Sequence, residues 1–232
     1  PSSRSEPDLE RALRAFEPMT LDEMASAATL LNRSECKYVM SQRMLPCILL
    51  ELSRAYRVLI AASAPTSRYR SLYYDTPDLD MYYRHHAGAA SRYKIRAREY
   101  VDSHLAFLEV KHRIGGRRTR KQRIPMQNLT SVATGEAPGF LAAACPYSAT
   151  HLRPSLWNEF VRITLVSTLR PERVTIDMDL TYRRDGSTAS LPGIVIAEVK
   201  YEGQLYQSAF ARVMYAYQLR AIGFSKYCMG VS

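Results

Sequence analysis

Apolar and polar positions change period several times along this chain, and the changes mark its elements. Near the N-terminus Leu9, Leu13 and Phe16 recur at helical spacing, Pro18 ends that run, and a second apolar run extends from Leu21 to Leu30. Arg33 to Met40 reads as a strand, and Ser41 reads as the N-cap of a helix to about Tyr56, with Met44, Ile48, Leu49 and Leu52 on its apolar face. Arg68 to Asp75 is an aromatic, alternating strand, and Pro77 and Asp78 open a short helix to about His86. Strands are expected over Ser91–Val101, Leu105–Ile114 and Arg117–Ile124, the last two joined by Gly115-Gly116 as a tight hairpin. A loop rich in Ala, Gly and Pro runs from Ser131 to Ser155. Strands resume at Trp157–Leu169, Arg173–Arg183 and Ile194–Tyr201, and a helix from about Leu205 to Ile222 ends at Gly223.

This order is a long antiparallel series with a few helices and no strand–helix–strand alternation, so the expected class is α+β. No internal repeat divides it. The expected organisation is an N-terminal helical segment over 1–31 packing on one larger domain over 32–232.

In a strand, alternate side chains share a face. Arg92, Lys94, Arg96 and Arg98 therefore share one face, with Tyr93, Ile95 and Ala97 on the other. The same parity groups Glu109, Lys111 and Arg113, then Glu35 with Lys37, Glu198 with Lys200, and Arg173, Thr175, Asp177 and Asp179. A half-buried sheet whose charged face meets water is the ordinary source of such a pattern. Yet four like charges along one strand repel, and nothing acidic separates Arg92 from Arg98. A closed antiparallel barrel with its charges inward accounts for the row better, because a charged interior needs counter-ions or a ligand. Carboxylates at Glu35, Glu109 and Glu198 beside so many cations fit a divalent metal with phosphate.

The bulk numbers agree. Lys and Arg outnumber Asp and Glu for a formal net charge of +10, which calls for an anionic partner: nucleic acid, an anionic membrane or a phosphate-rich molecule. No apolar run approaches the ~20 residues of a membrane-spanning helix, and Pro1 to Asp8 lacks a signal-peptide pattern. Cys36, Cys47, Cys145 and Cys228 lie far apart, against a zinc site or a disulfide framework; a cytoplasmic location is expected. His85-His86 point in different directions on a helix, and no phosphate-loop motif is present.

Seven segments in order, Glu35-Cys-Lys37-Tyr-Val-Met, Tyr69 to Tyr82, Arg92 to Arg98, Phe107 to Lys111, Arg173 to Asp177, Ala197 to Lys200 and Phe224 to Gly230, resemble the VTC domain. That is the catalytic domain of the vacuolar transporter chaperone polyphosphate polymerase and its bacterial relatives, within the CYTH-like triphosphate tunnel metalloenzymes. The resemblance runs from about Arg33 to Gly230. It implies an eight-stranded antiparallel β-barrel tunnel with packing helices, gripping a row of phosphates. It also implies phosphate binding by Lys37, Arg96, Arg98, Lys111, Arg162, Arg173 and Lys226, with Lys121 and Arg123 contributing from the hairpin partner and Lys200 placed by parity with Glu198. Arg96, Arg98, Glu198 and Lys226 are the implied catalytic set. Glu198, with Glu35 and Glu109, would hold Mn²⁺ or Mg²⁺.

The function so implied is transfer of the ATP γ-phosphate to a pyrophosphate or polyphosphate end, with ADP leaving. Hydrolysis of tripolyphosphate by the same fold is the alternative. The Glu35-x-Lys37 start, where triphosphatases often carry two glutamates, favours the polymerase branch. A non-catalytic polyphosphate or nucleic-acid binding module is the alternative of another class. Tyr69, Tyr73, Tyr74, Tyr93 and Tyr100 are expected to point away from the basic row, so no nucleic-acid partner is expected. Neither the sensor domain nor the membrane helices of the fungal proteins is expected here, so translocation of product is expected to need a separate membrane partner.

Overall fold

The computed structural model describes residues 6–27, 34–115 and 118–232. In chain order the elements are α1 (Glu6–Leu13), β1 (Glu17–Met19), α2 (Leu21–Ala27), β2 (Ser34–Ser41), α3 (Leu45–Leu52), β3 (Tyr56–Leu59), β4 (Thr66–Asp75) and α4 (Asp80–His86). Then come β5 (Arg92–Tyr100), β6 (Leu105–Ile114), β7 (Arg118–Pro125), α5 (Ala137–Ala144), β8 (Arg153–Ser167) and β9 (Glu172–Arg184). The chain closes with β10 (Ser187–Ser190), β11 (Ile194–Tyr201), α6 (Ala209–Ala216) and α7 (Lys226–Val231). The class is α+β, with antiparallel strands predominating, as expected.

The chain forms two compact units. The first comprises Pro1–Ser67, Phe160–Leu180 and Leu191–Phe224; the second comprises Arg68–Glu159, Thr181–Ser190 and Ser225–Ser232. Strands β8 and β9 contribute residues to both.

In the first unit the strand order is β2-β11-β9-β8, with β3 added to β8 and the short β1 parallel to β3. One face of this sheet carries Tyr38, Met40, Val174, Ile176, Val195, Ala197 and Val199, buried against Leu45, Ile48, Leu49 and Leu52 of α3. Ala12, Leu13 and Phe16 from the first helix and its exit join the same core. Each such aliphatic side chain contributes about 1.5–3 kcal/mol on burial. A buried polar knot fixes α6 against this sheet. The Tyr56 hydroxyl donates to Glu172 and accepts from the Phe210 amide, while the Ser208 hydroxyl donates to Glu172 and caps α6 through the Ala211 amide. Burial, then the neighbouring Glu172 carboxylate, push the Tyr56 hydroxyl pKa upward, so it stays a donor.

In the second unit the order is β8-β4-β5-β6-β7, and β10 pairs with β9 as a hairpin. Leu72, Tyr74, Ile95, Ala97, Leu108 and Val110 on one face pack with Met81 of α4, Leu141 of α5, and Val132 and Leu152 from the loops.

Several elements differ from the sequence expectation, each for a local reason. Ser41 caps a three-residue 3₁₀ turn rather than the α-helix itself, and α3 ends at Leu52. Residues 53–55, expected to finish that helix, form a turn, and Tyr56 begins β3, whose aromatic and β-branched Tyr56 and Val58 are buried in the sheet. The 131–155 loop contains α5, opened by Pro138 in its first turn, a position proline favours. The last long helix is split: α6 covers Ala209–Ala216, and the positive φ of Gln218 (57°) follows its end. The tail is helical because Ser225 caps it, accepting from the Cys228 amide. Gly115 takes the expected positive φ (56°) at the hairpin, while Gly116 and Arg117 lie outside the described residues, as do 28–33.

Candidate functional site

Two charged sheet faces, one in each unit, hold the side chains that the alternation singled out. In the second unit the face opposite the core carries Arg92, Lys94, Arg96 and Arg98 on β5. The register sets Lys94 opposite Lys111 and Lys111 opposite Lys121; Arg96 lies opposite Glu109, and Glu109 opposite Arg123. Arg92 meets Arg113. On β5, β6 and β7 this face therefore presents Arg92, Lys94, Arg96, Arg98, Lys111, Arg113, Lys121 and Arg123 against the single carboxylate of Glu109. Like charges directly opposite destabilise a sheet, so the composition of this face serves something other than stability.

Arg96 and Glu109 form the tightest pair, with Nε and Nη2 both 2.6 Å from one carboxylate oxygen. Burial alone would lower the Arg96 pKa, but Glu109 and Tyr73 outweigh it and raise it. Burial would likewise raise the Glu109 carboxyl, and Arg96, Arg98 and Lys121 hold it below its ordinary value of 4.5. Arg98 is buried (6 % exposed), with its Nε donating to Ser71 Oγ at 3.1 Å and its guanidinium 5.4 Å from the Tyr69 ring centre. Arg123 lies 4.4 Å from the centre of the Phe107 ring. For Arg92, burial and then Arg113 lower the pKa. Lys226 opens α7, next to the cap Ser225 that accepts from Lys94 Nζ at 2.9 Å.

Glu109 sets a measurable pH dependence. Its folded pKa lies below the unfolded value, so its contribution to stability is present above about 4.5 and is lost as pH falls through the depressed folded value. Glu109→Gln is expected to cost about 1.5–3 kcal/mol at neutral pH, the worth of a hydrogen bond to a charged group. That gap should shrink as the pH drops below 4.5 in urea titrations. A gap independent of pH would show that Glu109 is not held in this way.

The first unit's face is nearly balanced in charge. Glu198 pairs in register with Lys37 on one side and Thr175 on the other; Lys200 pairs with Glu35 and Arg173. Lys200 Nζ forms a short ion pair with Glu198, and Lys37 Nζ lies 3.7 Å from both Glu198 Oε2 and Glu35 Oε1. Burial would raise the Glu198 carboxyl, but Lys200, Lys37 and Arg162 hold it well below the ordinary range. Lys200 is pushed down: burial, Arg162 and Arg173 outweigh the support of Glu198. Arg162 grips Asp177 through two hydrogen bonds, 2.5 Å from Nε and 2.8 Å from Nη2.

The structure thus brings Lys37, Glu35, Glu198, Lys200, Arg162 and Arg173 to one face of the first unit's strands. Arg96, Arg98, Glu109, Lys111 and Lys121 share one face of the second unit's strands, and Lys226 lies beside the cap that Lys94 reaches. Among the described residues no group of three His, Cys, Asp or Glu side chains is arranged to hold a metal. The donor chemistry nevertheless fits a hard cation. Glu198 and Glu35 are hard oxygen donors flanking one ammonium, and Mg²⁺ is commonly held by one or two carboxylates together with substrate phosphates. Glu109 is committed to Arg96.

Two readings are corrected. Tyr69, Tyr73 and Tyr100 do not point away from the basic row: Tyr69 lies opposite Tyr100, Ser71 opposite Arg98 and Tyr73 opposite Arg96, which puts all three tyrosines on the arginine face. Tyr73 is nonetheless covered, 3 % exposed and stacked on Tyr227, so its ring is not open to a base. Tyr74 and Tyr93 do pack on the core side. The parity of β9 holds to Asp177 and breaks at Asp179, whose positive φ (55°) leaves it exposed while Asp177 is buried. Sequence reading missed the Arg162–Asp177 pair and the Asp75–Tyr227 contact, both of which join residues remote in the chain.

Solved structures share this fold. A candidate adenylate cyclase from Bacillus halodurans matches with a TM-score of 0.55 and 12% identity, over 86% of this chain and 98% of that one. One from Vibrio parahaemolyticus matches at 0.50 and 15%, over 84% and 95%. A candidate adenylyl cyclase from Hippeastrum, described as revealing a dominant triphosphatase activity, matches at 0.51 and 11%, over 84% and 93%. No curated protein matches the chain. No helix among the described residues is long and apolar enough to cross a membrane. The sequence profile of the VTC domain matches residues 32–232, which contain both charged faces in full, and by that match the chain belongs to the VTC domain family.

Proposed function

We propose that this chain is a metal-dependent phosphotransferase that builds polyphosphate from the γ-phosphate of ATP. The observation that carries the reading is the face of β5, β6 and β7, where a ladder of opposed cations meets one carboxylate, itself committed to Arg96. Such a face matches a linear polyanion, whose charges repeat along its length. Phosphoryl transfer asks mainly for positioning and charge neutralisation, and this chain is equipped for both.

In this reading Arg96, Arg98, Lys111, Lys121 and Lys226 bind phosphate oxygens in the second unit. Lys37, Arg162, Arg173 and Lys200 do so in the first. Glu198 with Glu35 would hold Mn²⁺ or Mg²⁺, which when bound supplies further neutralisation of the phosphate oxygens. Glu109 fixes the direction of Arg96 through Nε and Nη2, so its guanidinium meets the developing charge without reorganising.

A second reading is hydrolysis of tripolyphosphate, with water as acceptor. The activity described for the Hippeastrum neighbour favours it, while Lys37 in place of a second strand-one glutamate favours the polymerase. Incubation with ATP and Mn²⁺, followed by phosphorus NMR, separates them. Internal chain phosphates growing with ADP establish the polymerase; orthophosphate alone, from ATP or added tripolyphosphate, establishes the hydrolase. No turnover with either substrate overturns the enzymatic reading.

A further inference from the structure

We infer that Tyr227 is a positioning residue for the cation row of β5, acting on Lys94 through Ser225; this deepens the phosphate-binding reading above and rests on it. Tyr227 is 1 % exposed and sits one residue into α7. Its hydroxyl donates to Asp75 Oδ2 at 2.5 Å and lies 3.1 Å from Ser155 Oγ. Burial, then the hydrogen bond to Asp75, push its pKa upward, so it remains a donor at any working pH.

Asp75 is an anchor of unusual rigidity. It is fully buried, and its carboxylate also accepts from the amides of Thr76 (2.7 Å), Met81 (2.9 Å) and Tyr82 (2.9 Å), which ties the end of β4 to the start of α4. Tyr227 thereby fastens the C-terminal helix to the sheet itself. Gly230 completes the fit: a Cβ there would come within 2.4 Å of Tyr182 and 2.6 Å of Leu156, so α7 can lie this close only with glycine at that point.

The path from Tyr227 to the cations runs through the cap of α7. That cap, Ser225, accepts from Lys94 Nζ at 2.9 Å. The Tyr227 ring stacks on Tyr73 with centres 5.0 Å apart and planes 25° apart, which fixes the place of α7 against β4. Lys94 carries four rotatable bonds and faces Lys111, which repels it. Without a fixed acceptor its ammonium would turn toward solvent. Nothing in the family profile match assigns this role; the hydrogen-bond geometry does.

The test is a double-mutant cycle on binding of inorganic tripolyphosphate, measured by calorimetry at fixed salt. Tyr227→Phe keeps the ring and its stack, and Asp75 still has three amide donors, so the fold is retained. It is expected to weaken binding about tenfold, the size of one charge-assisted contact. Lys94→Ala should weaken binding similarly, and Tyr227→Phe on that background should add less than twofold. Independent, multiplying effects would overturn the inference, as would unchanged binding in Tyr227→Phe. Absence of tripolyphosphate binding by the unaltered protein would instead sink the phosphate-binding reading on which it rests. Ser225→Ala provides a second route: it removes the acceptor for Lys94 while leaving Tyr227 and Asp75 in place, and should reproduce the loss.

Discussion

Arg96→Ala should destabilise the second unit by about 2–3 kcal/mol and weaken tripolyphosphate binding by at least tenfold. Breaking a buried ion pair by removing one partner costs about 3–5 kcal/mol, because the other charge is left buried. Here 27 % of the Arg96 side chain and 20 % of Glu109 remain exposed, which places the cost at or below the bottom of that range. The two losses can be separated. In Arg96→Ala with Glu109→Gln the carboxylate left without its arginine is removed too, so much of the stability should return while binding does not. Arg96→Lys should recover only part of both, since a lysine cannot present two nitrogens of a planar fork to Glu109 as Nε and Nη2 of Arg96 do. Urea unfolding reports the first quantity and calorimetry the second. Binding that recovers along with stability in the double variant would show that Arg96 never meets the phosphates.

Glu198→Ala separates metal from phosphate in the first unit. Metal-dependent turnover should fall by a factor on the order of a thousand, the scale seen when a key electrostatic group is lost, and raising Mn²⁺ should not restore it. Metal-free binding of tripolyphosphate should move the other way, tightening by a few fold. Lys200 and Lys37 both spend charge on Glu198; without it, that charge is available to an anion. Weaker metal-free binding in Glu198→Ala would mean that these lysines do not reach the phosphates. Retained turnover would remove Glu198 from the reaction.

The strands of this fold were legible where their apolar and charged positions alternate. Ile95 and Ala97 against Arg96 and Arg98, or Val199 against Glu198 and Lys200, leave one way to face a core. Where period-two patterning was short or absent, the reading went astray. Four residues, Tyr56 to Leu59, are too few to distinguish a strand from the end of α3, and the alanines of α5 looked like loop because glycine and proline surround them. The candidate site was readable strand by strand, since parity puts cations on one face wherever the strand lies. Which strands adjoin was not. Tyr73 sits opposite Arg96 because of the β4–β5 register, and Arg162 meets Asp177 across β8 and β9. Such pairings depend on turn geometry and on contacts remote in sequence. For the same reason the Tyr227–Asp75 bond, spanning 152 positions, left no trace in local spacing.

The row of Lys94, Lys111 and Lys121 across three neighbouring strands bears on how a product would leave. A polyanion held by many cations departs only when all of its contacts open together, and loss of any single one is repaired by the next phosphate along. In the proposed polymerase, a growing chain on such a ladder can shift by one repeat while exchanging equivalent partners, and elongation is then expected to be processive. The number of phosphates in each product would then follow the supply of donor nucleotide more than chance dissociation. High salt, which weakens every rung at once, would shorten the chains before it slowed the chemistry.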